Sequence, residues 1–230
     1  MLQWIDLLEA YLIEAKWFNK KYVPAFGEYL DNGVISSGSC LALVHATFLI
    51  GDNLSKETIS MMSPYPRLFS CSGEILRLWD DLGTSKVSHS IFTCNYVKFL
   101  NFVFVIFEHE TRERDEKLMV FHFQEEQKRG DNACSIQCLM KENDISDETF
   151  ARKHIRQVIG NLWSELNSLV IATTTLPFTI RKASLNMART SQFIYQHGDD
   201  QTMPTVNDLV KLLIFTPSKS GEESNTNCVV

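Results

Sequence analysis

The sequence predicts an all-α fold. Apolar residues recur at three- and four-residue spacing through most of the chain, and residues that start and stop helices bracket those stretches. No segment outside residues 87–124 alternates apolar and polar side chains convincingly enough for a strand. The 230 residues are 44% hydrophobic and 22% charged, close to the average of folded domains, so the chain is long enough to bury a core.

The elements follow in order. Trp4, Leu7, Leu8, Tyr11, Leu12, Ala15 and Phe18 share a helical spacing, and Asn19, Lys20 and Lys21 close that helix with the polar and basic residues its negative end prefers. Pro24 opens a short helix through Leu30. Ile35-Ser36-Ser37-Gly38 separates it from the apolar stretch Cys40 to Ile50. Ser55 caps a helix running to Met62, with Glu57 in its first turn, and Pro64 and Pro66 make a turn. Arg67 to Lys86 reads as one long helix. Glu125 to Glu142 reads as another, and Ser146 starts a helix with Ile155, Val158, Ile159, Leu162 and Leu166 on one face. Ile180 to Tyr195 and Pro204 to Phe215 follow, before a polar tail from Ser218 that is expected to be disordered.

Charge and cysteine usage exclude several classes. A net charge of -6 argues against generic nucleic-acid binding, which shows a basic face. The six cysteines (Cys40, Cys71, Cys94, Cys134, Cys138 and Cys228) form no CxxC pair and read as free thiols of a reducing compartment. Cys134 and Cys138 stand four apart, without a His or Cys partner at zinc-like spacing. Cys228 is third from the end, so it makes no prenylation box. The amino terminus carries Asp6, Glu9 and Glu14 without a basic leader, so the chain as written is expected to be cytoplasmic. Val97 to Phe107 is shorter than the roughly 20 residues a membrane helix needs, and no membrane anchor is expected.

The chemistry concentrates in Arg77-Leu78-Trp79-Asp80-Asp81-Leu82-Gly83-Thr84. Spacings of three and four put Arg77, Asp80 and Thr84 on one helix face. A carboxylate and a hydroxyl one turn apart suit a hard cation such as Mg²⁺, and an arginine one turn earlier suits a phosphate. An Asp pair on a helix is, in most proteins, a solvated face. A third oxygen ligand is due at position 88, where Ser88 is a poor one.

Residues 77–86 joined directly to Glu125-Glu126-Gln127-Lys128-Arg129-Gly130-Asp131 resemble the second metal motif of plant class I terpene synthases. That motif is Asn or Asp, Asp, an aliphatic, any residue, Ser or Thr, three residues, then Glu. Glu14-Ala15-Lys16-Trp17-Phe18, Glu28-Tyr29-Leu30, residues 135–142, Asn186-Met187-Ala188-Arg189 and Tyr195-Gln196-His197-Gly198-Asp199 are similar to further phrases of the family. Asn32-Gly33-Val34-Ile35-Ser36-Ser37-Gly38 looks most like the linalool and nerolidol synthase type.

The resemblance implies a partial class I terpenoid synthase helical bundle, with residues 1–86 and 125–215 as two parts of the C-terminal α-domain and 216–230 as a tail. It implies Asp80, Thr84 and Glu126 as ligands of one Mg²⁺, with Mn²⁺ as the alternative metal. Arg77 would hold the diphosphate of a prenyl substrate (geranyl or farnesyl), and Tyr195 and Asp199 would lie near the cavity mouth or in its lid. The family's other motif, Asp-Asp-x-x-Asp, is expected well over a hundred residues upstream. Neither Asp80-Asp81 nor Asp199-Asp200 continues into it. Little or no activity is therefore expected of these 230 residues alone. A plastidial parent enzyme is compatible with the family. The alternative role is a non-catalytic helical fragment that pairs with a full-length synthase. His45, His154 and His197 read as packing or surface residues.

Residues 87–124 differ from their surroundings. Seven of the 15 Phe fall here, around a charged run from Glu108 to Lys117. The segment begins Val87-Ser88, which a GTGAGT or GTAAGT splice donor encodes, and ends Phe123-Gln124, which a TTTCAG acceptor encodes. Removing it restores the motif in frame, so it reads as a translated intron, with a genuine surface insertion as the alternative.

Overall fold

The computed structural model describes residues 2–50, 54–84, 133–173 and 175–196. The 87–124 segment, the final helix and the tail lie outside the described residues, as do Glu126 and Asp199. All regular structure among the described residues is helical: α1 (Leu2–Lys20), α2 (Phe26–Ser36), α3 (Ser39–Ile50), α4 (Lys56–Ser60), α5 (Arg67–Thr84), α6 (Ser135–Glu142), α7 (Glu148–Ala172) and α8 (Phe178–Tyr195).

Most boundaries follow from local chemistry. Lys21 takes a left-handed conformation (φ 50°) after α1, and the Tyr22 N–H returns to the Trp17 carbonyl at 2.9 Å, closing the helix where the basic run predicts. Ser55 caps α4 by accepting the Thr58 N–H at 3.1 Å. The cap of α7 is Asp147, which accepts the Thr149 N–H at 2.8 Å, one residue later than the Ser146 start. The second helix runs to Ser36 rather than stopping at Leu30, and the break falls at Gly38, whose φ of 71° suits glycine. The run Phe26–Leu49 is apolar enough by length and composition to cross a membrane, yet 61% of its most apolar window is buried inside the bundle.

One helix differs from expectation. Glu125 to Glu142 is not a single helix, because the chain is extended at Cys134 (φ -105°, ψ 166°) and α6 begins only at Ser135. The reason lies elsewhere in the fold: the Ser135 N–H donates to the Asp81 carboxylate at 2.9 Å, which fixes where α6 can start. At its other end Glu142 accepts the Phe26 N–H at 2.6 Å and Lys141 donates to the Val23 carbonyl at 2.8 Å. Helix α6 thereby caps α2, whose own cap residue, Ala25, has no side-chain acceptor.

Helix α5 is the centre of the bundle and packs against α2, α3, α6, α7 and α8. Phe69, Cys71, Ile75 and Leu78 are fully buried on it, facing Ile155 and Leu166 of α7 and Ile180 and Ala188 of α8. Reciprocal bonds stitch α5 to α8: Ser72 Oγ donates to the Ser184 carbonyl at 2.6 Å, and Ser184 Oγ to the Leu68 carbonyl at 3.0 Å. Small hydroxyl residues allow this approach while satisfying their own buried polar atoms. Helix α1 behaves differently. Leu7 and Ala10 are its buried residues, while Trp4, Leu8, Tyr11 and Leu12 of the predicted apolar face are exposed. The periodicity identifies an apolar surface, and the described residues do not cover it.

Candidate functional site

The C-terminal turns of α5 carry the predicted site, and its two aspartates live in opposite environments. Asp81 is 4% exposed and saturated. Its carboxylate accepts the Tyr29 hydroxyl (3.0 Å to Oδ1, 2.8 Å to Oδ2) and the Ser135 N–H, and forms an ion pair with Arg77 Nε at 3.4 Å. A buried charge so surrounded is a structural anchor joining α2, α5 and α6.

Asp80 is half-buried, and its Oδ1 is a buried oxygen with no hydrogen-bond partner. Its carboxyl is pushed up to about 7 by burial, with the Arg77 cation opposing and the Asp81 charge adding to the rise; a side-chain hydrogen bond from Tyr195 also favours the anion. An orphaned buried carboxylate oxygen is costly unless a proton or a cation reaches it. The donor set present is therefore one that a hard, oxygen-preferring cation fits. Among the described residues no three His, Cys, Asp or Glu converge on a common point.

The remaining predicted residues fall as follows. Arg77 is one turn before Asp80, and its Nε donates to the Tyr29 hydroxyl at 2.7 Å while Nη2 bonds the same oxygen. It also lines a cavity of about 230 Å³ with Glu14, Trp17, Lys21, Tyr29 and Gln137. Thr84 is the last residue of α5. Tyr195 ends α8, is 4% exposed and reaches Asp80, so the fold unites these two residues across 115 positions of sequence. His45 packs edge-on against Trp4 and bonds the Leu41 carbonyl through Nδ1, and His154 is exposed. The described thiols, Cys40, Cys71, Cys134 and Cys138, are free.

Three residues outside the sequence prediction shape the site. Tyr29 bridges Arg77 and Asp81. Arg152, 3% exposed on α7, donates from Nη1 to the Leu82 carbonyl at 2.9 Å and so holds the C-terminal end of α5. Gly83 lets the Tyr195 backbone close in. The four-residue spacings of Arg77 with Asp81 and of Glu148 with Arg152 are the local signals; the other contacts are between residues distant in sequence.

Comparison with known proteins places the chain. The terpene synthase family metal-binding domain matches residues 2–100, and the C-terminal metal-binding domain of terpene synthase family 2 matches residues 120–165. A probable terpene synthase of Ricinus communis is 48% identical over 93% of this chain and 31% of its own length. A chloroplastic monoterpene synthase of Cananga odorata is 41% identical over 93% of this chain and 30% of its own. Isoprene synthase from grey poplar leaves (Populus x canescens), in complex with three Mg²⁺ ions and dimethylallyl-S-thiolodiphosphate, superposes with a TM-score of 0.65 and 26% identity, over 91% of this chain and 32% of that one. The chain thus spans about a third of the length of the curated relatives it matches.

Proposed function

The chain belongs to the terpene synthase family, and we propose that it forms the second metal-binding face of an enzyme that ionises geranyl or farnesyl diphosphate to a mono- or sesquiterpene. The observation that carries this reading is the buried, unpartnered Oδ1 of Asp80, presented one turn before Thr84 on the central helix. Asp80, Thr84 and Glu126 are assigned as ligands of one Mg²⁺, with Mn²⁺ able to substitute. Bound metal supplies Lewis-acid stabilisation of the departing diphosphate.

The chain's own residues do the rest. Arg77 presents a fixed positive charge one turn from Asp80, where negative charge develops on the leaving group. Tyr195 orients the Asp80 carboxylate, and Asp199, outside the described residues, is assigned by the family resemblance alone to the cavity mouth or its lid. An apolar pocket would shield the carbocation from water. The chloroplastic relative from Cananga odorata suggests a plastidial parent enzyme. Because no Asp-Asp-x-x-Asp sequence occurs in the 230 residues, the isolated chain is expected to bind metal and diphosphate without appreciable turnover.

Calorimetric titration of the purified chain with Mg²⁺ and inorganic diphosphate tests the assignment. Binding should be lost in Asp80→Ala; equal binding by wild type and variant would falsify the site. Incubation with geranyl or farnesyl diphosphate and Mg²⁺ tests turnover, and product above the Asp80→Ala background overturns the expected inactivity. The 87–124 segment, which separates Thr84 from Glu126, is proposed to be a translated intron. Sequencing cDNA across Lys86 and Glu125 checks this, and the idea fails if every transcript retains the segment without donor and acceptor codons.

A second reading rests on α1, where Trp4, Leu8 and Leu12 are 53%, 64% and 54% exposed. An apolar helix face of this kind suits a fragment that pairs with a full-length synthase. Co-purification of the two supports this role, and its absence removes it.

A further inference from the structure

The Tyr29 hydroxyl is fully used. A phenol has one proton to give and two lone pairs to offer. The proton goes to Asp81, 3.0 Å from Oδ1 and 2.8 Å from Oδ2. The lone pairs receive the Arg77 Nε–H at 2.7 Å and an N–H of Nη2. Tyr29 is 1% exposed, and burial pushes its phenol well above the ordinary value, so it stays neutral and the proton stays directed at the carboxylate.

This geometry decides where the guanidinium can go. Arg77 and Asp81 are four apart on α5, and Nε stands 3.4 Å from Oδ1, just beyond hydrogen-bond contact. Left alone, such a pair closes from this loose ion contact into a hydrogen-bonded one, with the guanidinium fork spent on the carboxylate. The phenol oxygen occupies the Nε and Nη2 edge instead. The arginine is held as one wall of the cavity that it shares with Lys21 and Gln137.

We propose that Tyr29 is the positioning residue for Arg77: its hydroxyl spaces the guanidinium from Asp81 and holds it open for the diphosphate. Tyr29 itself touches no substrate in this role, which rests on the reading of Arg77 as the diphosphate-binding residue. Phenylalanine at this position keeps the ring and its packing but removes the spacer, so Arg77 collapses onto Asp81.

Inorganic diphosphate with Mg²⁺, titrated calorimetrically into the 230-residue chain, Tyr29→Phe and Arg77→Gln, separates the possibilities. Tyr29→Phe should bind about tenfold more weakly, the scale of one lost charge-assisted hydrogen bond, with an unfolding midpoint and circular dichroism that show it folded. Arg77→Gln should lose at least as much. Unchanged affinity in Tyr29→Phe beside a weakened Arg77→Gln overturns the role of Tyr29 and leaves that of Arg77 standing. Unchanged affinity in Arg77→Gln, or no binding by the wild type, overturns the reading of Arg77 and the role of Tyr29 with it. A second measurement does not depend on the Tyr29 variant. In the wild-type chain the Arg77 Nε–H, assigned by its loss in Arg77→Lys, should exchange slowly with solvent by ¹⁵N NMR. Exchange at the rate of free arginine overturns the proposal.

Discussion

Gly83 and Tyr195 meet backbone to backbone. A Cβ on Gly83 would lie 2.9 Å from the Tyr195 carbonyl oxygen and 3.1 Å from its Cβ. This contact seats the end of α8 on the end of α5, one turn from Asp80, and so lets the Tyr195 hydroxyl reach the carboxylate.

Gly83→Ala therefore tests two opposed effects. Alanine gains up to about 1 kcal/mol of propensity over glycine in a helix interior, and less at Gly83, the next-to-last residue of α5. Overpacking costs about 1–3 kcal/mol, and here the obstacle is a backbone oxygen that cannot rotate aside. The overpacking wins, with an expected net loss of about 1 kcal/mol. Urea denaturation reads it out, and a variant as stable as the wild type would show that α8 yields freely.

The two aspartates should respond oppositely to substitution. Asp81→Ala leaves the Arg77 charge, the Tyr29 hydroxyl and the Ser135 N–H without their acceptor, at a cost of about 3–5 kcal/mol. Asp80→Asn keeps an oxygen for Tyr195 and relieves repulsion from Asp81, so in EDTA its stability should stay within about 1 kcal/mol of wild type. Equal losses at the two positions, measured by chemical unfolding, would contradict the division into anchor and ligand.

Arg152 separates a buried bond from an exposed one on a single side chain. Its Nη1 bond to the Leu82 carbonyl is buried, whereas its partner at Nε, Glu148, has a 48% exposed side chain. Arg152→Ala should cost about 2–3 kcal/mol, because the carbonyl is left without its donor. Glu148→Gln should cost under about 0.5 kcal/mol after solvent screening. Comparable losses for the two would mean that the ion pair, not the carbonyl, holds the residue.

Much of this was legible in the residues, and what was not has a physical pattern. Periodicity and caps located α1, α4, α5, α7 and α8, because those signals are local: Ser55 needs only Thr58, three residues on. The spacing of Arg77, Asp80 and Thr84 likewise needed only the pitch of one helix. Asp81 looked like half of a solvated pair and is instead a buried anchor, since its partners Tyr29 and Ser135 lie 52 and 54 positions away. The same distant bond explains why α6 begins at Ser135. Spacing showed an apolar face at Trp4, Leu8 and Leu12 but could not show what covers it.

The buried thiols give a prediction that depends on pH. Cys40, Cys71 and Cys138 are at most 1% exposed, and burial pushes each up to about 12. Thiolate is the reactive form; at pH 8 it makes up about a quarter of an ordinary thiol but only about one part in ten thousand of these. Iodoacetamide at pH 8 should leave all three unmodified in the folded chain and modify them in denaturant, as read by peptide mass spectrometry. The same shift sets a direction for stability. The unfolded chain ionises these thiols near pH 8.5, while the folded chain resists until about 12. Stability present below pH 8.5 is therefore lost as the pH climbs through that window, and the urea midpoint should be lower at pH 10 than at pH 8. Native labelling of Cys71 at the rate of a free thiol would mean that the α5–α7 interface, where its Sγ donates to the Leu162 carbonyl at 3.3 Å, opens far more readily than its packing implies.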